Sequence, residues 1–178
     1  MIRSHNDMSF TVRAAVSEAD WQQGLAVLHR VYVGEGYSPT ERAAQMYRRE
    51  VLEPEGRFLV AVREDDDAVL GATILLHPGS AFHQVAEPGE REFRLLAVHP
   101  DARGKGVGEA LVQACVKGAT TDRAEALVLW TRPTMIAAQR LYERLGFMRA
   151  PARDEEDARD FTRLVYRLDL QSPPLTWS

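Results

Sequence analysis

The chain has 178 residues, enough for one domain with a sizeable core. Hydrophobic residues make up 45% and charged residues 27%, and the formal net charge of -4 argues against the concentrated basic surface that non-specific nucleic-acid binding requires. A single cysteine excludes an intrachain disulfide, no apolar run approaches the roughly 18 residues of a membrane span, and the start MIRSHNDMSF has no hydrophobic signal core; a cytoplasmic protein with neither a nucleic-acid nor a membrane partner is expected.

Residues 1–9 are polar and expected to be disordered. Phe10–Ala14 alternates apolar and polar positions, which predicts a strand. Ser17 can cap a helix reaching Val33, with Asp20 as a competing cap and Trp21, Leu25, Leu28 and Tyr32 as the apolar stripe. The turn 34–39 interrupts that pattern, and Thr40 caps a second helix to Arg49 with Glu41 near its positive end. Strands follow over 57–63 and 69–76, joined by an acidic turn at 64–67 that reads as solvated. Residues 77–91 form a polar loop without periodicity, and a loop of that length inside a compact domain is functional or mobile.

A central strand is predicted over 92–98. The next helix, 106–117, presents Val107, Leu111, Ala114 and Cys115 on one side, so Cys115 reads as a small core residue. A buried strand at 126–130 precedes a helix over 134–145 that Gly146 ends. Strands at 147–150 and 161–168 follow, and the charged run 153–157 between them reads as a solvated hairpin loop. The tail 171–178 contains Pro173-Pro174 and is expected to be extended, which leaves 10–170 as the folded domain. Periodicity alone supports α/β or α+β.

Between the central strand and its helix lies Arg103-Gly104-Lys105-Gly106-Val107-Gly108. A helix start leaves N–H groups without partners and carries partial positive charge, and glycines let an anion approach the main chain. Arg103 and Lys105 add full charges, so the segment reads as a phosphate or pyrophosphate cradle. The spacing is not that of a dinucleotide fingerprint or a Walker loop. It resembles the acetyl-CoA-binding signature R/Q-x-x-G-x-G/A of the GCN5-related N-acetyltransferases (GNAT). A second segment, Ala138 to Phe147, resembles that superfamily's A-x-x-L-Y-x-x-x-G-F. The resemblance covers 10–168.

That resemblance implies an α+β GNAT fold of order β-α-α-β-β-β-α-β-α-β-β, a mixed sheet of about six or seven strands with about four helices. It implies that the strands ending at Val98 and Trp130 splay to admit acetyl-CoA, the acyl donor, with no metal. Leu96, Ala97 and Val98 would offer main-chain groups to the pantetheine arm, and Arg103, Gly104, Lys105, Gly106, Val107 and Gly108 would hold the pyrophosphate. Lys105 also fits a solvated loop charge. Tyr142, on the inward face of its helix, would protonate the departing thiolate; the other reading is a core aromatic. Glu92 stands where many members carry a general base, and it also fits a glutamate facing solvent or pairing with Arg94; His77, His83, Glu87 and Glu90 are reserves. Met135 replaces an asparagine that contacts the cofactor arm in many members. The acceptor pocket would come from 34–39 and 77–91, with Glu35 and Tyr37 as candidates that ordinary loop structure also explains.

The expected reaction is direct transfer of acetyl to a primary amine in a ternary complex, the acceptor being a small molecule or peptide and the enzyme a monomer or homodimer. Its rivals are a non-catalytic acyl-CoA-binding or sensing module and a transferase using another acyl-CoA, such as succinyl-CoA.

Overall fold

The computed structural model describes residues 8–171. The expectations for the N-terminal stretch and for the C-terminal tail fall almost wholly outside the described residues. Strand β1 (Phe10–Ala14) leads into helix α1 (Glu18–Leu28). Ser17 and Asp20 do not compete there: Ser17 Oγ accepts from the Asp20 amide at 3.0 Å while Asp20 Oδ2 accepts from the Ser17 amide at 3.1 Å, a reciprocal capping box. A π-helical turn, His29–Val33, extends α1. The buried face holds Trp21, Val27, Leu28 and Val31, with Leu25 and Tyr32 only half-buried, so the stripe is displaced from the expected one.

The second predicted helix ends three residues early, and a further short helix begins where it was expected to stop. Helix α2 (Thr40–Met46) is preceded by Pro39 as its cap and stops at Tyr47, whose backbone turns to φ -88°, ψ 63°; α3 (Arg49–Leu52) follows. The Tyr47 ring is buried with its hydroxyl 3.2 Å from Ser38 Oγ, a tertiary contact that helix periodicity does not encode. Strands β2 (Gly56–Arg63) and β3 (Val69–Leu76) flank the acidic turn, where Arg63 pairs with Asp66 at 2.8 Å.

Strand β4 (Glu90–Val98) starts two residues before the expected boundary, and α4 (Val107–Thr121) runs four past it. Then come β5 (Ala126–Thr131), α5 (Ile136–Arg144), β6 (Met148–Arg149), β7 (Glu155–Asp157) and β8 (Phe161–Asp169). Residues 155–157 are therefore a strand on β8, not a solvated loop. Asp157 is buried between Arg159 and Arg163, at 2.8 Å from each, and Asp154 pairs with Arg149 at 2.6 Å. Arginines outside the acidic run neutralise it, which a local count of charge misses.

The eight strands take the order β1-β2-β3-β4-β5-β8-β6, with β7 on β8. The single strand more than expected is β7. Strands β4 and β5 are parallel across the α4 crossover, and β5 pairs antiparallel with β8. Backbone contacts divide the described residues into two compact units, one of 8–74 with Leu95–Ala114, the other of Leu75–Arg94 with 115–171. In the first, Trp21 stacks on Phe58 with centroids 4.6 Å apart. In the second, Val85, Val128 and Val165 form an apolar cluster.

Candidate active site

In the first unit, the end of β4 and the start of α4 press on β3. A Cβ at Gly71 would stand 2.9 Å from the Ala97 carbonyl oxygen and 3.0 Å from side-chain carbons of Val107 and Leu111. His99 N donates to the Leu70 carbonyl at 2.8 Å, and the short turn Pro100–Ala102 buries Ala102. The chain then comes out to solvent at Arg103. Gly104 and Gly106 take φ of 74° and 81°, a region other residues rarely adopt, and no atom lies within 4 Å of where their Cβ would be. Val107 is buried again and pins the start of α4. The result is bare main chain at a helix N-terminus, flanked by Arg103 and Lys105.

Upstream, Leu95 has φ 59° inside β4, a left-handed conformation that a leucine adopts only under constraint. Such a residue bends a strand and resets its alternation. Leu96 and Val98 are half-buried and Ala97 buried. The parallel ladder of β4 with β5 runs from Glu90↔Ala126 to Glu92↔Val128, and no further pair is found among the described residues. The Leu96 carbonyl accepts from the Tyr32 hydroxyl at 3.0 Å, and Tyr37 sets its ring against Tyr32 with centroids 6.3 Å apart. Arg103 Nη2 meets Glu35 Oε1 at 2.5 Å. Glu35, an acceptor-side candidate, thus lies on the candidate cofactor loop, a meeting across 68 residues that no local motif signals.

In the second unit, Tyr142 is buried on α5 among Phe93, Phe147 and Tyr166, with ring centroids 6.0, 5.9 and 5.8 Å away. Burial pushes its hydroxyl well above the usual phenol range, the neighbouring Cys115 and Tyr166 adding to the effect. The Tyr166 hydroxyl donates to Glu143 at 3.1 Å, whereas the Tyr142 hydroxyl has no hydrogen-bond partner among the described residues. Met135 caps α5 and its sulfur accepts from Thr131 Oγ1 at 3.4 Å.

Glu92 is fully buried and does not face solvent. Its carboxylate accepts from the backbone amides of Gln84, Val85 and Ala86 at 3.1, 2.8 and 2.9 Å. The polar loop is therefore fastened from below. Trp130 Nε1 donates to Gln84 Oε1 at 2.7 Å, Arg94 to the Phe82 carbonyl at 3.1 Å, and Arg153 to the Val85 carbonyl at 2.5 Å. Arg153 and Arg167 also bind Glu90, at 2.8 and 2.9 Å. Burial works to raise Glu90, but those guanidiniums and the Glu87 amide outweigh it and hold the carboxyl below its ordinary value. Glu90 is an ion-pair hub. His77 and Glu87 are exposed, and His83 Nε2 is buried without a partner among the described residues. Arg153 and Arg167 were invisible to local sequence reading, because their partner lies more than sixty residues away.

Cys115 is buried in α4, and burial pushes its thiol far above the usual range, so it is no nucleophile. Among the described residues no three His, Cys, Asp or Glu side chains are grouped to hold a metal ion, and no helix is long and apolar enough to cross a membrane.

Residues 20–147 match the family described as the Acetyltransferase (GNAT) family. Over 98 residues the chain is 33% identical to a mycothiol acetyltransferase of Paenarthrobacter aurescens (strain TC1), covering 55% of this chain and 29% of that one. It is similar in structure to a GCN5-related N-acetyltransferase from Kribbella flavida, with TM-score 0.66 and 26% identity over 90% of this chain and 98% of the other. A protein of Salmonella typhimurium solved with its cofactor acetyl-CoA shares the fold at TM-score 0.63 and 21% identity, over 96% and 99% of the two chains. The chain spans about a third of the length of the mycothiol acetyltransferases it matches, 29% and 35% in two of them.

Proposed function

We propose that this chain, which belongs to the acetyltransferase (GNAT) family, transfers an acetyl group from acetyl-CoA to a primary amine by direct attack in a ternary complex. The observation that carries the reading is the Arg103–Gly108 segment. Its two left-handed glycines leave main chain open at the start of α4, with Arg103 and Lys105 beside it, as an anionic pyrophosphate requires. Acetyl-CoA supplies the activated thioester. Backbone groups of Leu96, Ala97 and Val98, beyond the end of the β4–β5 ladder, are proposed to bind the pantetheine arm and to steady the oxyanion that develops on the carbonyl.

Tyr142 is the proposed acid that delivers a proton to the departing sulfur. Its unpartnered hydroxyl supports this, since a buried phenol serving only the core satisfies its O–H locally, as Tyr166 does. Glu92 enters in two forms, as a base acting on the amine through water or as the fastener of loop 82–86. The three amides on its carboxylate favour the fastener. Glu35 and Tyr37 are proposed on the acceptor side, the acceptor being a small-molecule or peptide amine.

An acceptor screen with acetyl-CoA, following free thiol and product mass together, tests the reading. Thiol release that depends on an amine, with matching acetylated product, is the expected result. Tight acetyl-CoA binding without transfer across the panel would instead establish the binding-module reading, to which Met135 in the asparagine position lends support.

A further inference from the structure

We infer that Glu35 is a positioning residue for the anion-binding loop: its carboxylate holds the Arg103 guanidinium in the free protein and yields it to the pyrophosphate, so that cofactor and acceptor loop share one arginine. The inference rests on the acetyl-CoA reading above. Three observations carry it. Arg103 Nη2 and Glu35 Oε1 are 2.5 Å apart, and both side chains are well exposed, at 46% and 35%, so water and ligand reach the pair. An exposed carboxylate–arginine pair is weakly held, whereas a pyrophosphate offers the same guanidinium more charge and a bidentate set of oxygens.

Glu35 also stands one residue past the π-helical turn His29–Val33, which Gly34 caps, an element of helical winding that recurs at functional sites. Finally, Tyr32 of that same turn donates to the Leu96 carbonyl at 3.0 Å. One short segment therefore touches both parts of the proposed cofactor surface, the β4 main chain through Tyr32 and the phosphate loop through Glu35. When Arg103 turns to the pyrophosphate, Tyr32 keeps the segment attached and only the Glu35 side chain is displaced.

Charge bookkeeping then gives a direction. In the free protein Glu35 and Arg103 cancel. With the pyrophosphate on Arg103, Glu35 carries an uncompensated negative charge beside a bound anion, and a cationic amine relieves it. Acetyl-CoA and an ammonium acceptor therefore bind with positive coupling, and the coupling is reciprocal. The pair also works against the cofactor alone, since every coenzyme A molecule must first displace Glu35.

Calorimetry of coenzyme A, ADP and pantetheine with the wild type and Glu35→Gln tests this. Loss of the competing carboxylate should tighten coenzyme A and ADP by about three- to five-fold, the scale of an exposed ion pair, and leave pantetheine unchanged. Glu35→Ala should shift the constants the same way, and melting curves check that both variants fold. Coenzyme A affinity that is unchanged or weaker in both variants overturns the inference, as does an equal gain for pantetheine. Absence of coenzyme A binding in the wild type brings down the acetyl-CoA reading and this inference together, whereas tight binding with identical constants brings down this inference alone.

Discussion

Tyr142 and Tyr166 share one aromatic cluster, their centroids 5.8 Å apart, yet only Tyr166 has its hydroxyl engaged, by Glu143. Replacing Tyr142 with phenylalanine therefore removes little from the packing. If the hydroxyl is the acid, Tyr142→Phe lowers kcat by about 100-fold, the lower end of general-acid contributions, with coenzyme A affinity unaltered by calorimetry. Glu92 sits at the opposite extreme, with its lone pairs committed. Glu92→Gln turns an N–H2 group toward amide donors and should cost about 1–3 kcal/mol in urea unfolding, the cost of unsatisfied buried polar groups. A drop in kcat with unfolding unchanged would restore Glu92 as the base.

At the scale of elements, the close approach at Gly71 joins β3 to the main chain of Ala97 and the first turn of α4. Gly71→Ala presses a methyl against the Ala97 carbonyl and should cost about 1–3 kcal/mol, with a loss of coenzyme A affinity that exceeds any loss from the same change at an exposed strand position. The elements themselves were largely legible in the sequence. Alternation marked β1 to the residue, the strand-like run 69–76 gave the bounds of β3, and two short motifs marked the loop of Arg103–Gly108 and the helix of Tyr142. What was not legible depends on distant partners. Strand β7 hides in a charged run because its arginine partners come later in the chain. The break of α2 at Tyr47 comes from a buried ring and a hydroxyl contact. Glu92 looked free because its amide donors belong to an aperiodic loop, and the Glu35–Arg103 pair joins segments that share no motif.

Across the whole molecule, acid is the condition that tests its charge pairs. Asp20 is held below the usual carboxylate range chiefly by the Arg13 guanidinium, Asp157 by Arg159, and Asp154 by Arg149. A carboxyl lowered in the folded state binds fewer protons than in the unfolded chain, so its contribution is complete above the unfolded value and fades as pH falls through the folded one. Melting temperature should hold from neutrality down to about pH 4.5, then fall steeply below about pH 4, where unfolded aspartates take up protons. Asp157→Asn should flatten that fall while lowering the melting temperature at neutral pH, because Arg159 and Arg163 lose a shared partner.

The one cysteine of the sequence is sealed inside α4. Ellman's reagent added to native protein should therefore meet almost no sulfhydryl of its own, and with an acceptor that carries no thiol the colour during turnover would come from released coenzyme A alone. Under urea the same side chain becomes a built-in clock: its labelling rate reports how often the interior around α4 opens to solvent, with no probe engineered into the chain.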